Sequence, residues 1–363
     1  MSAPPLISII LPVRDGRRTL GRALASVRRQ TEPRWELLVV DDGSSDGTPG
    51  LLAAAAREDA RIRVLTQPAR GLVAALNAGL AAARGGFVAR LDADDEAHPE
   101  RLARQAAHLQ ANPAHGLVGS LVEFGGDRAA SAGYALHVDW LNTLRTPAEI
   151  ALNRFVESPF AHPSVMFRSE LVGKYGGYRA GEFPEDYELW LRWLEAGVTM
   201  AKVPETLLTW HDGPARLSRT DPRYAPEAFF RLKAEYIAKE LGRIQARREG
   251  SELARDREGS PSRASSLPHP GLEVWIWGAG RPTRQRAAAL AAHGVRVAGY
   301  VDVDAKKIGN VVGGLPVIAA DALPPPGARF ILGYVSTRGA RDYIRAQLGH
   351  RNYIEGRDFL SCA

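Results

Sequence analysis

Apolar and polar positions fall into blocks along the first ninety or so residues, and the period changes from block to block. Residues 6–13 (LISIILPV) are an apolar run ending near Pro12, which predicts a buried strand. Residues 19–29 then place Leu20, Ala23, Leu24 and Val27 at helical spacing. Residues 36–40 (ELLVV) and 62–65 predict a second and a third strand, 71–83 an Ala-rich helix and 87–91 a fourth strand. Strands that alternate with helices predict an α/β fold with a mostly parallel sheet covered on both faces. Ligands of such sheets bind beyond the C-terminal ends of the strands.

Residues 116–212 are less regular. A strand is expected over 163–167, a helix over 187–195 and another strand over 198–203. Residues 226–245 predict a long amphipathic helix. Composition then turns polar, charged and Ser/Pro-rich over 246–270, which predicts a linker. The apolar pattern resumes at residues 272–277 (LEVWIW), entering Gly278-Ala279-Gly280, with a helix and a strand over 296–301 after it. The predicted organisation is an α/β domain over 1–245, a linker over 246–270 and a smaller α/β domain over 271–363.

A length of 363 residues suits two domains. No apolar run reaches about 18 residues, so no spanning helix is predicted. Residues 1–6 lack a basic flank leading into an apolar signal core, so secretion is not expected. Cys362 is the one cysteine, which excludes an internal disulfide and a cysteine-rich metal site. The reducing cytoplasm is the expected compartment. The net charge of +6 comes from arginines spread along the chain, so no nucleic-acid partner is expected.

Carboxylates carry the candidate chemistry. In Val39-Val40-Asp41-Asp42-Gly43-Ser44 a strand ends in two of them. An aspartate there can accept a hydrogen bond from a nucleobase N–H, or it can build a turn. Arg90-Leu91-Asp92-Ala93-Asp94-Asp95 sets three carboxylates within four residues. Their repulsion is relieved by a divalent cation, for which hard oxygen donors suit Mg²⁺ or Mn²⁺. A solvated loop leading into the next helix is the other reading. Glu185-Asp186 stands where a helix begins and can cap it or supply a general base. His211 follows a strand-like segment and can be a ligand or a surface group.

Taken in order, these pieces resemble the family 2 glycosyltransferases of the GT-A fold, from about Ile7 to Ser218. The carrying motifs are Gln30-Thr31, Trp35-Glu36-Leu37-Leu38-Val39-Val40-Asp41-Asp42-Gly43-Ser44 and Ala75-Leu76-Asn77-Ala78-Gly79. Next come Ala89-Arg90-Leu91-Asp92-Ala93-Asp94-Asp95 with Pro99-Glu100-Arg101-Leu102, and His162-Pro163-Ser164-Val165-Met166-Phe167-Arg168. Gly176-Gly177-Tyr178 and Glu185-Asp186-Tyr187-Glu188-Leu189-Trp190-Leu191-Arg192 complete the set.

The resemblance implies an inverting transfer of sugar from a nucleoside-diphosphate donor, UDP-linked by expectation, to a hydroxyl of a glycan or lipid-linked acceptor. Asp186 is implied as the base. Asp92 and Asp94 are implied as the metal-binding pair, with Asp94 the direct ligand and His211 completing the site. Asp42 is implied to read the donor base. Pro12, Arg14, Asp15, Asn77, Arg90 and Asp92 are expected around the donor, and Arg216 and Arg219 over its diphosphate. His162, Gly176, Gly177, Glu185 and Trp190 are expected on the acceptor side. Where many relatives carry an aromatic residue after the first strand, this chain has Arg14, whose guanidinium can stack on a base. Family analogy suggests work at the cytoplasmic face of a membrane, with peripheral association.

The segment Trp275-Ile276-Trp277-Gly278-Ala279-Gly280-Arg281-Pro282-Thr283 resembles the first turn of a Rossmann-like domain, with Asp302 near the position that holds a ribose hydroxyl. Thr283 stands at the third glycine position. The competing reading is therefore a sugar-modifying enzyme that binds NAD(P) or a nucleotide sugar through this domain.

Overall fold

The computed structural model describes residues 7–213, 216–256 and 272–363. They form two compact units. The first runs to Ala151 and resumes over Ser158–Arg223; the second joins Leu152–Glu157 to Tyr224–Ala363.

In the first unit the strands are β1 (Ile7–Val13), β2 (Trp35–Asp42), β3 (Ile62–Gln67), β4 (Phe87–Arg90), β5 (Glu96–Ala97), β6 (His115–Phe124), β7 (Met166–Arg168) and β8 (Thr199–Trp210). They build one sheet in the order β3-β2-β1-β4-β7-β6-β8-β5. The first four strands are parallel; β7 then runs antiparallel to both β4 and β6. β1 and β2 are buried at every position. Their side chains alternate between two cores, as a pleated strand covered on both faces requires. Ile7, Ile9 and Leu11 join one apolar cluster and Ile10 the other.

Helices α1 (Leu20–Arg28), α2 (Thr48–Glu58), α4 (Arg101–Ala111) and α5 (Ala132–Leu141) cover the first face, through Leu24, Leu52, Leu102 and Val138 among others. Helices α3 (Leu72–Ala82), α6 (Pro147–Asn153), α7 (Glu170–Tyr175) and α8 (Glu185–Glu195) cover the second, through Leu76, Ile150, Leu171 and Leu189. A short helix, α9 (Leu217–Thr220), follows β8. The sheet order reverses at β1, because β2 and β3 lie on one side of it and β4 on the other. The loops leaving β1 and β4 diverge there, at the strands' C-terminal ends, where sheets of this kind bind ligands.

Two expectations change. The strand expected over 163–167 begins only at Met166, because His162–Ser164 is a 3₁₀ turn with proline in its first positions. The helix expected over 226–245 is α10 (Pro226–Asp256), which continues into the segment read as linker and belongs to the second unit. Its Glu and Arg residues favour helix, and pairs such as Glu235–Lys239 support it. The rest of the expected linker lies outside the described residues.

The second unit carries β9 (Leu272–Trp277), β10 (Val295–Val301), β11 (Val311–Val312), β12 (Leu315–Ile318), β13 (Phe330–Gly333) and β14 (Phe359–Ser361), with α11 (Arg281–Ala287) and α12 (Ala340–Gly349). The order β11-β12-β10-β9-β13-β14 is parallel except for β11, which pairs antiparallel with β12. Among the described residues no helix is long and apolar enough to cross a membrane.

Candidate active site

The loops after β1 and β2 are stitched together. Asp15 takes a φ of 52°, a left-handed conformation that aspartate tolerates. Its N–H donates to Ser44 Oγ at 2.8 Å, and its Oδ1 accepts from the Ser45 N–H at 2.8 Å. Arg14 reaches into solvent beside it, and Pro12 is buried inside β1. Asp42 is buried and already engaged. Its Oδ1 accepts from Gln67 Nε2 at 2.6 Å and the Arg70 N–H at 2.8 Å, and its Oδ2 from the Gly71 N–H at 2.8 Å. A carboxylate offers about four acceptor positions, so about one is left. Asp42 holds the β3–α3 loop to the end of β2.

The acidic cluster lies on the loop leaving β4. Oxygen atoms of Asp92, Asp94 and Asp95 lie within 4.8 Å of one another. Asp95 is 1% exposed; its Oδ1 accepts from the His211 N–H at 2.8 Å, while Oδ2 is buried with no partner among the described residues. Burial, then the charge of Asp92, raises the Asp94 carboxyl above its ordinary value. Burial, then Asp92 and Asp94, raises Asp95 further. Two arginines answer this charge. Burial works against the Arg90 charge, but its ion pair with Asp92, and then Tyr178, hold the guanidinium above its usual value. Arg216 rests on the rings of Trp210, at 4.6 Å, and Tyr134, at 4.9 Å. Burial opposes its charge too, and Tyr134 and then Asp95 outweigh that. Arg219 pairs instead with Asp212.

His211 does not join the carboxylates as expected. Its Nε2 lies 3.0 Å from Glu96 Oε1 and its Nδ1 3.1 Å from the Gly125 carbonyl. Both ring nitrogens are taken, and Asp95 stands in the cluster in its place. The Asp-x-Asp spacing named the first two carboxylates of this loop, whereas the turn also brings in the third, Asp95.

The third element is the start of α8. Asp186 is half-buried in its first turn and accepts from the Tyr187 N–H at 2.7 Å. Burial first, and the Glu185 charge second, push its carboxyl up to about 8. Beneath it, His162 Nε2 lies 2.7 Å from Tyr178 Oη, and His162 Nδ1 3.8 Å from Glu185 Oε1. His162, Glu185 and Trp190 were expected to face an acceptor; the structure buries all three, with Trp190 0% exposed against His162 and Phe160.

Gly176 and Gly177 form a loop beside them. Gly176 has a φ of 82°, and a Cβ on Gly177 would stand 2.7 Å from Asn77 Oδ1. Asn77, expected at the donor, spends its amide on the backbone of Tyr178. Arg192 closes a motif quoted from the sequence but was given no role there, yet it holds this loop. It donates to the carbonyls of Tyr175, Gly176 and Gly177 and pairs with both oxygens of Glu188. The i,i+4 spacing of Glu188 and Arg192 is the signal that could have found it.

In the second unit Asp302 is committed as well. It accepts from the N–H groups of Ala279, Val303 and Asp304 at 2.8 to 3.0 Å and pairs with Lys307 at 3.2 Å. Asp302 therefore closes the turn after β9, where the sequence reading put a ribose contact.

The fold sets an acidic loop at the reversal point of a half-parallel sheet and a second carboxyl site, Asp186 beside Glu185, at the start of α8. The family model "Glycosyl transferase family 2" matches residues 8–176. The putative glycosyltransferase EpsE of Bacillus subtilis is 31% identical over 213 residues, 57% of this chain and 73% of that protein. The O-antigen biosynthesis protein RfbC of Myxococcus xanthus is 30% identical over 246 residues, 66% of this chain but 18% of that protein. The fold is similar to that of S. aureus TarS 1-349 in complex with UDP-GlcNAc, with a TM-score of 0.52 and 18% identity over 65% of this chain and 66% of that one. The chain belongs to glycosyltransferase family 2.

Proposed function

We propose that the first unit transfers a sugar, with inversion, from a nucleoside-diphosphate donor to a hydroxyl of a glycan or lipid-linked glycan. The observation that carries this is the separation of two kinds of carboxyl. Three oxygen donors cluster at the end of β4, and one half-buried carboxyl stands apart from them on α8.

The cluster fits a divalent cation, Mg²⁺ or Mn²⁺. Its donors are hard oxygens, and the Asp95 Oδ2 is buried without a partner among the described residues. Asp92, Asp94 and Asp95 would hold the ion, which supplies charge stabilisation for a departing diphosphate when bound. Arg216, between its two rings, adds a cation at the same place. The diphosphate is already a good leaving group, so one base suffices. A hydrolase acting on an alcohol leaving group needs an acid as well. Asp186, raised to about 8, takes the acceptor proton in its ionised form. Transfer accordingly rises with pH through about 8.

The donor base lies over the loops after β1 and β2. Asp42 shapes that pocket through Gln67, Arg70 and Gly71, and Arg14 is exposed beside it to stack on a base. RfbC is named for O-antigen biosynthesis, and that likeness supports an acceptor in polysaccharide assembly.

A thermal-shift screen with UDP-, GDP- and dTDP-sugars, each with and without Mn²⁺, names the donor. Asp186→Asn then abolishes transfer and keeps the donor shift. Undiminished transfer by this variant would sink the reading.

A further inference from the structure

We propose that a polar stripe along α1, made by Arg22, Ser26 and Gln30, holds the acidic loop in shape for its cation, so that these three are positioning residues of the transfer site. This rests on Asp92, Asp94 and Asp95 holding the ion.

The three residues recur at intervals of four, which sets them along one side of a helix. Gln30 lies just past the helix end, after Arg29. Leu20, Ala23, Leu24 and Val27 face the core instead. The stripe meets main chain. Arg22 Nη2 donates to the Asp94 carbonyl at 2.8 Å, and its Nε pairs with Glu96 at 3.3 Å. Ser26 Oγ accepts from the Ala97 N–H at 3.1 Å and donates to the Ala23 carbonyl at 2.7 Å. Gln30 Nε2 donates to the His98 carbonyl at 2.8 Å and the Ser26 carbonyl at 3.2 Å, while its Oε1 accepts from the Leu102 N–H at 3.0 Å. Beside it the Thr31 N–H donates to the Pro99 carbonyl at 2.9 Å.

The contacts keep the same order on both partners, so the loop lies along the helix from Asp94 to Leu102. Its other edge is held by β8, which pairs with β5 and accepts from the His98 N–H at the Leu207 carbonyl. At its base Arg101 donates to the Arg90 carbonyl at 2.7 Å, joining the two ends of the loop. Such holding matters because three like charges on a free loop spread apart. The carboxylate oxygens have to stay available to a cation, so the loop is best fixed through its backbone. The stripe does this without occupying an oxygen of Asp92, Asp94 or Asp95.

Gln30 is the residue this arrangement demands most closely. Its amide supplies two donors and an acceptor, and all are used. The Leu102 N–H is one of the donors that the first turn of α4 leaves without a partner in the helix. Glutamate would set an acceptor against two carbonyl oxygens. Gln30 is 8% and Ser26 0% exposed, so neither is a substrate contact. Gln30-Thr31 is among the motifs that carry the family resemblance, and this is the work it does here.

The test measures Mn²⁺ binding by the full chain, with and without UDP, from the electron paramagnetic resonance signal of free Mn²⁺. The wild-type chain should bind and Asp94→Ala should not. Gln30→Met, which keeps the shape and removes the amide, and Arg22→Met should each weaken binding about tenfold. Arg22→Lys, which can still donate to the Asp94 carbonyl, should recover most of it. Leu171→Ala opens a cavity in the core on the other face of the sheet. It should lower the urea midpoint and keep the wild-type affinity. If Gln30→Met and Arg22→Met lower the urea midpoint and keep the wild-type affinity, the stripe is structural and the inference fails. If the wild-type chain binds no Mn²⁺, the assignment of the cluster fails first. Should Gln30→Met not fold, Arg22→Met, whose side chain is 41% exposed, decides by the same readout.

Discussion

Asn77 and Tyr178 are 101 residues apart and exchange two hydrogen bonds. Asn77 Nδ2 donates to the Tyr178 carbonyl at 2.9 Å, and the Tyr178 N–H donates to Asn77 Oδ1 at 3.0 Å. One amide side chain thus stands in for a strand partner and fixes the glycine loop on α3. Asn77→Ala strips both backbone groups of these partners, a cost of about 1–3 kcal/mol where they stay buried. The variant should melt lower and transfer about tenfold more slowly, because the loop beside the base is no longer held. Its donor-induced thermal shift should persist. A lower Tm with wild-type turnover would make the clamp purely structural.

Arg192 does the same work from the opposite side. It grips Glu188 with two hydrogen bonds, at 2.8 and 3.0 Å, and caps Gly177 O at 2.7 Å. In Arg192→Met the buried Glu188 loses this fork and keeps its ion pair with Arg179 at 3.4 Å. Removing one partner of a buried pair costs about 3–5 kcal/mol. Lysine cannot reproduce the fork, so Arg192→Lys should fall between wild type and Met. Urea midpoints of the three proteins check this order; equal midpoints for Lys and wild type would refute it.

The parallel frame was legible because β1 and β2 are largely apolar, apart from Ser8, Glu36 and the terminal Asp41-Asp42, a composition that suits a doubly covered strand. β6 was not. Its sequence, HGLVGSLVEF, carries two glycines that look like loop punctuation. In the structure a Cβ on Gly119 would stand 2.8 Å from the Phe160 ring, and one on Gly116 2.6 Å from Val198. Those glycines are packing positions, which only the neighbouring elements reveal. The site divides in the same way. Motifs set Asp92 and Asp94 after a strand and Asp186 at a helix start, since strand ends and helix starts are local features. The facing of Asn77, His211 and Trp190 depends on partners about 90 residues or more away or on a packed core, and no spacing rule encodes it. The end of α10 was hidden because Glu and Arg suit a linker and a helix equally.

The carboxylate cluster makes a prediction about ions. Millimolar Mn²⁺ or Mg²⁺ should raise the Tm of the full chain, since an ion that binds only the folded state stabilises it by mass action. Asp94→Ala and Asp95→Asn should each remove most of that rise. His211→Ala should keep it, because the His211 nitrogens are paired with Glu96 and Gly125. Loss of the rise in His211→Ala would return the histidine to the ligand set.

Asp186 ties basicity to stability, and the sign can be worked out. Its carboxyl is raised from 3.8 to about 8 in the fold. Between those values the folded protein holds a proton that the unfolded chain has released. Stability from this group therefore falls as pH rises across that window and levels off above about 8. Asp186→Asn has the same shape and does not titrate. The two proteins should match near pH 4, and the variant should gain steadily on wild type up to pH 8. Because Asp186 is only half-buried, solvent screening limits the gap to on the order of 1 kcal/mol. Urea midpoints of both proteins at pH 4, 6, 8 and 9 measure it. Parallel curves would mean that the carboxyl is not held in its neutral form, and the rise of transfer through pH 8 would then need another titrating group.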